Sequence, residues 1–311
     1  MSKILTITPN PCIDISTSVP SMVPDKKLHC NAVKKEPGGG GINVSRVIKR
    51  FGGDTTAIYL SGGYTGDFFT KMLLAEQVDV MEIKTVNHTR ENFVVVDAFT
   101  KLQYRFGMPG PFIYDDEWNK CLDAAASFRD KNVAFMVASG SLTNGIPVDF
   151  FAKLALIAKQ QHSKFILDTS GDALKAALEQ GVYMIKPNLG ELSFLAGTSE
   201  LDGQSAVEAA RSLIQKKQCE VVVISMGPRG AMMVTADEVI HVNSPAVKVR
   251  STVGAGDSMV AGIVLSLTSG HTMHEAMQYG VACGTATTMN AGTALCQKAD
   301  AASLFEMIKN H

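Results

Sequence analysis

From residue 115 to the C-terminus, short apolar runs alternate with segments whose apolar residues recur at helical spacing. A strand covered on both faces reads as a near-continuous apolar run, whereas a strand with one wet face alternates. Residues 133–138, 165–167, 182–186 and 221–225 are of the first kind. Helical patterns over 148–160, 172–179, 190–195 and 205–216 connect them. That order predicts parallel strands with crossover helices on both faces, and ligands in such sheets sit beyond the carboxyl ends of the strands.

The first half of the chain fits the same plan, with strands predicted at 4–8, 55–60 and 80–83 and helices at 67–77 and 115–128. Three further helices are predicted over 258–267, 274–287 and 302–309. Two strand-like runs, 92–99 and 102–106, break the alternation as a hairpin, and 28–33 reads as a third strand. Together these predict a small separate sheet laid over the main one. A second hairpin is predicted at 231–235 and 239–242, and a strand around Val247 and Val249. The expectation is a single domain over 1–311, with a lid from segments of about 12–36 and 86–108.

Composition narrows the function classes. A hydrophobic content of 46% in 311 residues suffices for a large core, and a net charge of −1 gives no reason to expect nucleic acid or an anionic membrane as partner. The six cysteines show no C-x-x-C and no metal spacing, which suits a reducing compartment. No apolar run reaches the length of a membrane span and no leader precedes the first strand, so a cytoplasmic protein is expected.

Three stretches carry chemistry. Ser251-Thr252-Val253-Gly254-Ala255-Gly256-Asp257 precedes an apolar helical pattern. Glycines at a helix start leave N–H groups pointing outward at the positive end of the dipole, which makes an anion site. Asp257 there reads either as an N-cap or as a base working beside developing phosphoryl charge. Gly38-Gly39-Gly40-Gly41-Ile42-Asn43-Val44 also precedes a helix, and reads either as a flexible connector or as a place of close backbone approach to a ligand. It fits neither the Rossmann nor the Walker spacing. In Lys186-Pro187-Asn188-Leu189-Gly190-Glu191, the Asn188 and Glu191 pair reads as a capping box, or as a holder of hydrated Mg²⁺ on nucleotide phosphates with Lys186 as point charge. A third glycine turn, Ser225-Met226-Gly227-Pro228-Arg229-Gly230, is either a connection into the hairpin or a phosphate contact. Arg90, at the base of the predicted lid, could clamp a phosphate through its fork. Asp14, Ser139, Asp168, Lys186, Asn188, Ser225 and Asp257 are all expected at the carboxyl edge of the sheet.

With these motifs in this order, the chain resembles the ribokinase-like sugar kinases, the phosphofructokinase B family, over nearly its whole length. The resemblance implies a three-layer α/β/α domain with a mostly parallel sheet and a small β-sheet lid. It also implies transfer of the ATP γ-phosphate to a sugar hydroxyl. Asp257 is then the base, with Gly254, Ala255 and Gly256 as the anion hole. Lys186, Asn188, Ser225, Gly227 and Gly230 are implied contacts to nucleotide, with Glu191 acting on Mg²⁺ through water. Asp14, Gly39, Gly40 and Asn43 are implied to bind sugar hydroxyls. A K⁺ site is implied at backbone carbonyls of Ser251, Val253, Asn290 and Gly292. A homodimer through the lid is implied as well, with a tetramer in excess ATP.

Within the family, Thr89-Arg90-Glu91-Asn92, Tyr104-Arg105-Phe106-Gly107-Met108-Pro109-Gly110 and Ser251-Thr252-Val253 look like the minor-type 6-phosphofructokinases. Ser251 replaces an Asp common in the family. Gly40 stands where kinases of fructose 1-phosphate and tagatose 6-phosphate carry Lys, which favours fructose 6-phosphate with Arg90, Asn92 and Ser139 as contacts. His29 replaces an expected Arg, and Lys27 matches a position linked to an inhibitory ATP site. Kinases of tagatose 6-phosphate or fructose 1-phosphate are the alternatives. A non-catalytic sugar-phosphate sensor stands behind them.

Overall fold

The structure is a computed structural model that describes residues 3–129 and 131–310. Strand β1 (Lys3–Thr8) begins the main sheet, and β2 (Cys12–Val19) and β3 (Lys34–Gly38) leave it at once for a second sheet. The chain returns through α1 (Gly40–Arg50), β4 (Thr55–Gly62), α2 (Gly63–Ala75) and β5 (Asp79–Thr85). It leaves again for the hairpin β6 (Arg90–Asp97) and β7 (Gln103–Phe106). After α3 (Asp115–Ala126), strands β8 (Val133–Ser139), β9 (Lys164–Asp168), β10 (Val182–Ile185) and β11 (Cys219–Ser225) alternate with helices. Those helices are α4 (Phe150–Gln160), α5 (Gly171–Leu178), and the pair α6 (Leu189–Ala196) and α7 (Gly203–Gln215). An antiparallel edge, β12 (Ala231–Val234) and β13 (Val239–Val242), precedes α8 (Ala255–Thr268), α9 (Met273–Thr288) and α10 (Lys298–Lys309).

The main sheet has nine strands in the order β13-β12-β11-β10-β9-β8-β1-β4-β5, with β4, β5 and β8–β11 parallel to β1. One face packs Phe150, Phe151, Leu154, Leu174 and Leu192 from α4–α6 against Leu5 and Ile7. The other packs Val44, Val47, Val260, Val264 and Val281 from α1, α8 and α9 against Ile4 and Val137. These are the three layers the strand–helix order predicts. Among the described residues no helix is long and apolar enough to cross a membrane.

Two strand assignments differ from the sequence reading. Residues 28–33 form no strand, and the small sheet, β3-β2-β6-β7, instead takes Cys12–Val19 and Lys34–Gly38. Strand β2 carries Asp14, Ser16, Thr17 and Ser18, and β3 is Lys-Lys-Glu-Pro-Gly, so neither shows an apolar run. Pro37 is tolerated because β3 is an edge strand paired only with β2. Residues 243–250 also form no strand, and Val249 is exposed. Asp14 consequently sits in the small sheet rather than at the carboxyl edge of the main one.

Candidate active site

Strand order in the main sheet reverses at β1, with β4 and β5 added on one side and β8–β11 on the other, so a crevice opens outside the carboxyl ends of the parallel neighbours β1 and β8. The first glycine stretch fills this point. A Cβ at Gly40 would overlap Ser139 Oγ, at the last residue of β8. One at Gly41 would fall 2.6 Å from Thr8 Oγ1, at the last residue of β1. The glycines are therefore a close-packed start to α1, not a flexible connector.

The second glycine turn lies opposite. Gly254 takes φ +75°, the left-handed region that glycine enters without strain, and is the N-cap of α8. Asp257 is the third helical residue and makes no capping bond, so the N-cap reading of its side chain falls. Its Oδ2 instead accepts from Asn43 Nδ2 at 2.9 Å, joining the first turns of α1 and α8. Ala255 N donates a long 3.4 Å bond to Thr252 O. The amides of Gly254, Gly256 and Asp257 have no acceptor among the described residues. They form the free positive end that an anion site needs.

Lys186 follows β10 and is buried, with its Nζ 3.2 Å from Asp168 Oδ1 at the end of β9. A Cβ at Gly256 would lie 3.1 Å from that Nζ, so the ammonium faces the glycine turn. Burial opposes charge on Lys186, but the Asp168 and Asp257 carboxylates beside it raise its pKa overall. Desolvation pushes Asp257 up to about 6; repulsion from Asp168 adds to this, while the Asn43 hydrogen bond and Lys186 pull the other way.

On the small sheet, Asp14 lies between Glu36 on β3 and Asn92 on β6. Its Oδ1 accepts from Cys12 Sγ at 3.2 Å and Asn92 Nδ2 at 3.4 Å, and burial raises its pKa against those bonds. Asn92 Oδ1 accepts from Met108 N at 3.0 Å. Arg90 donates to Met108 O and Asn10 O, each at 3.1 Å. Arg90 Nε, Asn10 Oδ1 and Thr8 Oγ1 are buried without a partner. Unpaired buried polar atoms are costly, and Thr8 of this group ends β1, where the crevice opens.

Asn188 and Glu191 form the predicted capping box of α6, with Glu191 N to Asn188 Oδ1 and Asn188 N to Glu191 Oε2 both 2.9 Å. They line a cavity of about 380 Å³ with Ser170, Gly171, Gly190 and Phe194. Ser225 ends β11 and bridges to Asn188; Gly227 and Gly230, both at positive φ, open and follow a short 3₁₀ turn. Ser251 N bonds to Thr288 O at 3.3 Å, which ties the turn to the end of α9. The carbonyls of Ser251, Val253, Asn290 and Gly292 accept no hydrogen bond among the described residues. Lys27 lies on an exposed stretch with no partner among the described residues, so nothing joins it to this group. A larger cavity of about 960 Å³, lined by Lys159, Lys164, Lys217 and Glu238, sits at the amino ends of β9–β11, away from all of this chemistry.

Asp168 was visible at a strand end, but its pairing with Lys186 has no sequence signal. Cys12 and Asn10 carried none either.

Residues 7–300 match the pfkB family of carbohydrate kinases. The chain belongs to this family. The ATP-dependent 6-phosphofructokinase isozyme 2 of Escherichia coli is 38% identical, with 98% of each chain covered. A crystal structure of that enzyme with substrates and products superposes with a TM-score of 0.94 at 37% identity, covering 99% of both chains. The same enzyme has been solved with potassium and as a tetrameric inhibited form. The 1-phosphofructokinase of Bacillus subtilis is 32% identical, over 92% of this chain and 93% of that one. The tagatose-6-phosphate kinase of Staphylococcus epidermidis is 31% identical, over 93% of each.

Proposed function

We propose that this pfkB kinase transfers the γ-phosphate of ATP to the 1-hydroxyl of fructose 6-phosphate, giving fructose 1,6-bisphosphate and ADP. The observation that carries the reaction is Asp257. Its carboxylate adjoins free helix-start amides and the Lys186 ammonium, and is aimed by Asn43. With a pKa of about 6 it is ionised at neutral pH yet basic enough to take the hydroxyl proton onto a carboxylate oxygen. The amides of the Gly254–Gly256 turn hold the charge that develops on the transferring phosphoryl group, and Lys186 adds a point charge.

Asp14, Gly39, Gly40 and Asn43 bind the sugar hydroxyls. Arg90, Asn92 and Ser139 take the 6-phosphate side, where the unpaired Arg90 Nε is an available donor. The Gly40–Ser139 contact supports fructose 6-phosphate, because a lysine at 40 would displace Ser139. Lys186, Asn188, Ser225, Gly227 and Gly230 face the nucleotide.

The residues present fit Mg²⁺ arriving with ATP. One oxygen of Glu191 is held by the capping box and the other is left for a metal-bound water. Mg²⁺ so bound neutralises phosphate charge. The four unbonded carbonyls around Ser251 and Asn290 fit K⁺, with no side-chain carboxylate at Ser251 to help. A homodimer is supported by Phe93 and Phe106, an exposed cross-strand pair on the small sheet beside exposed Tyr104. The small sheet then acts as lid and interface. The unbridged cysteines suit a cytoplasmic setting.

The test is ADP release with Mg-ATP and K⁺, comparing fructose 6-phosphate, tagatose 6-phosphate, fructose 1-phosphate and fructose by kcat/KM. Preference for fructose 6-phosphate supports the assignment. Preference for another sugar phosphate overturns the substrate and keeps the reaction. Binding without turnover makes the protein a sensor.

A further inference from the structure

Two side chains of β7 reach out of the small sheet and hold the turn that precedes α8. Arg105 Nη2 donates to Thr252 Oγ1 at 2.8 Å, and Gln103 Nε2 donates to Ser251 Oγ at 3.3 Å. Arg105 Nε also donates to Gln103 Oε1 at 3.1 Å. A guanidinium has donors only, so this bond fixes which end of the Gln103 amide faces Ser251. Ser251 Oγ accepts a second bond from Val253 N at 3.3 Å, which occupies both of its lone pairs. A single chain of bonds thus runs from guanidinium through amide and hydroxyl to the backbone one residue before Gly254.

The partner arm of the same hairpin faces the other half of the site. Arg90 and Asn92, at the start of β6, donate to Asn10 O and Asp14 Oδ1. β6 and β7 pair directly, with Val94 opposite Arg105 and Val96 opposite Gln103. One rigid hairpin therefore touches the sugar-phosphate pocket with one arm and the anion turn with the other.

We infer that Arg105 and Gln103 are positioning residues, through which the small sheet sets the placement of the Gly254–Asp257 amides and couples phosphoryl transfer to sugar-phosphate occupancy. This rests on the kinase reading. Arg105 is exposed, and isolated surface hydrogen bonds contribute little to stability, so a purely structural role predicts almost no effect on turnover. Displacing catalytic amides by about 1 Å is a far larger penalty, up to roughly 10²-fold in rate.

The experiment compares wild type with Gln103→Ala, Arg105→Ala, Arg105→Lys and the double alanine variant. Expected is a fall in kcat of about tenfold or more for the double variant, with calorimetric Kd values for ATP and fructose 6-phosphate within about twofold of wild type. The two alanine effects should be less than additive, because both interrupt one chain. Arg105→Lys, which keeps the bond to Thr252 alone, should recover part of kcat. Amide hydrogen exchange over residues 251–258 should be faster in the double variant without any ligand. Unchanged kcat and exchange overturn the inference; so does a loss confined to fructose 6-phosphate Kd, which would make Arg105 a substrate ligand. If wild type phosphorylates no sugar, the kinase reading fails by itself. The exchange comparison then still decides whether Arg105 and Gln103 place the turn: equal rates overturn that placement and faster exchange upholds it.

Discussion

The turn before α1 and the turn before α8 both place glycines at a helix start, and the two use glycine for different reasons. At Gly40 and Gly41 the backbone is helical and the constraint is space, since Ser139 and Thr8 stand where a Cβ would go. At Gly254 the constraint is the φ of +75°. The first turn is packed shut against two strand ends, and the second leaves three amides open. One lends shape and the other lends charge, and the Asn43–Asp257 bond keeps them in register. A run of glycines in a sequence thus does not announce which of these jobs it does.

Substitutions can separate the two turns. The largest effect is expected at the charged turn itself. Asp257→Asn should lower kcat roughly 10²–10⁴-fold while ATP still binds, as read by steady-state rates and calorimetry; near-normal turnover would remove Asp257 from its role.

Next are the glycines. Gly40→Ala should cost about 1–3 kcal/mol of overpacking, expressed as a higher KM for fructose 6-phosphate with that for ATP little changed. Gly254→Ala should cost about 1–2 kcal/mol of left-handed strain, with a methyl 2.5 Å from Leu295 Cδ2. Its loss should fall on kcat instead. If both variants damage the same kinetic constant, the division between shape and charge is wrong.

A smaller effect tests the bond between the turns. A base must be ionised, so kcat/KM should fall as pH drops through about 6, where Asp257 gains its proton. The Asn43 hydrogen bond lowers that pKa, so Asn43→Ala should move the acidic limb to higher pH. An unmoved limb would mean that another group controls it.

The smallest change concerns the capping box. Asn188→Ala should lower stability by about 0.5–2 kcal/mol in denaturant unfolding, beyond any effect on nucleotide binding.

The main sheet was legible because strands buried on both faces advertise themselves as apolar runs, and β8, β10 and β11 do so. The small sheet was legible only in its hairpin. Strands β2 and β3 hold polar residues, a proline and paired charges, and their extended form is imposed by pairing with β6 and with each other. Residues 28–33 touch β2 only through Asn31, too briefly to make a strand, and Val247–Val249 meet no neighbouring strand. At the site, residue types tied to backbone turns could be read in advance: the glycines, Asp257 and the Asn188 cap. The Asp168–Lys186 pair, the Asn92–Asp14 bond and the reach of Arg105 to Thr252 each depend on elements brought together only by folding.

The reciprocal bonds between Asn188 and Glu191 hold both side chains in a single rotamer before any nucleotide arrives. Ordering a flexible side chain on binding typically costs about 0.5–1.5 kcal/mol. If α6 holds the nucleotide as proposed, that cost is met during folding and this corner is already stiff when the ligand arrives. The same two bonds that start the helix would then spare that ligand an entropy loss on arrival.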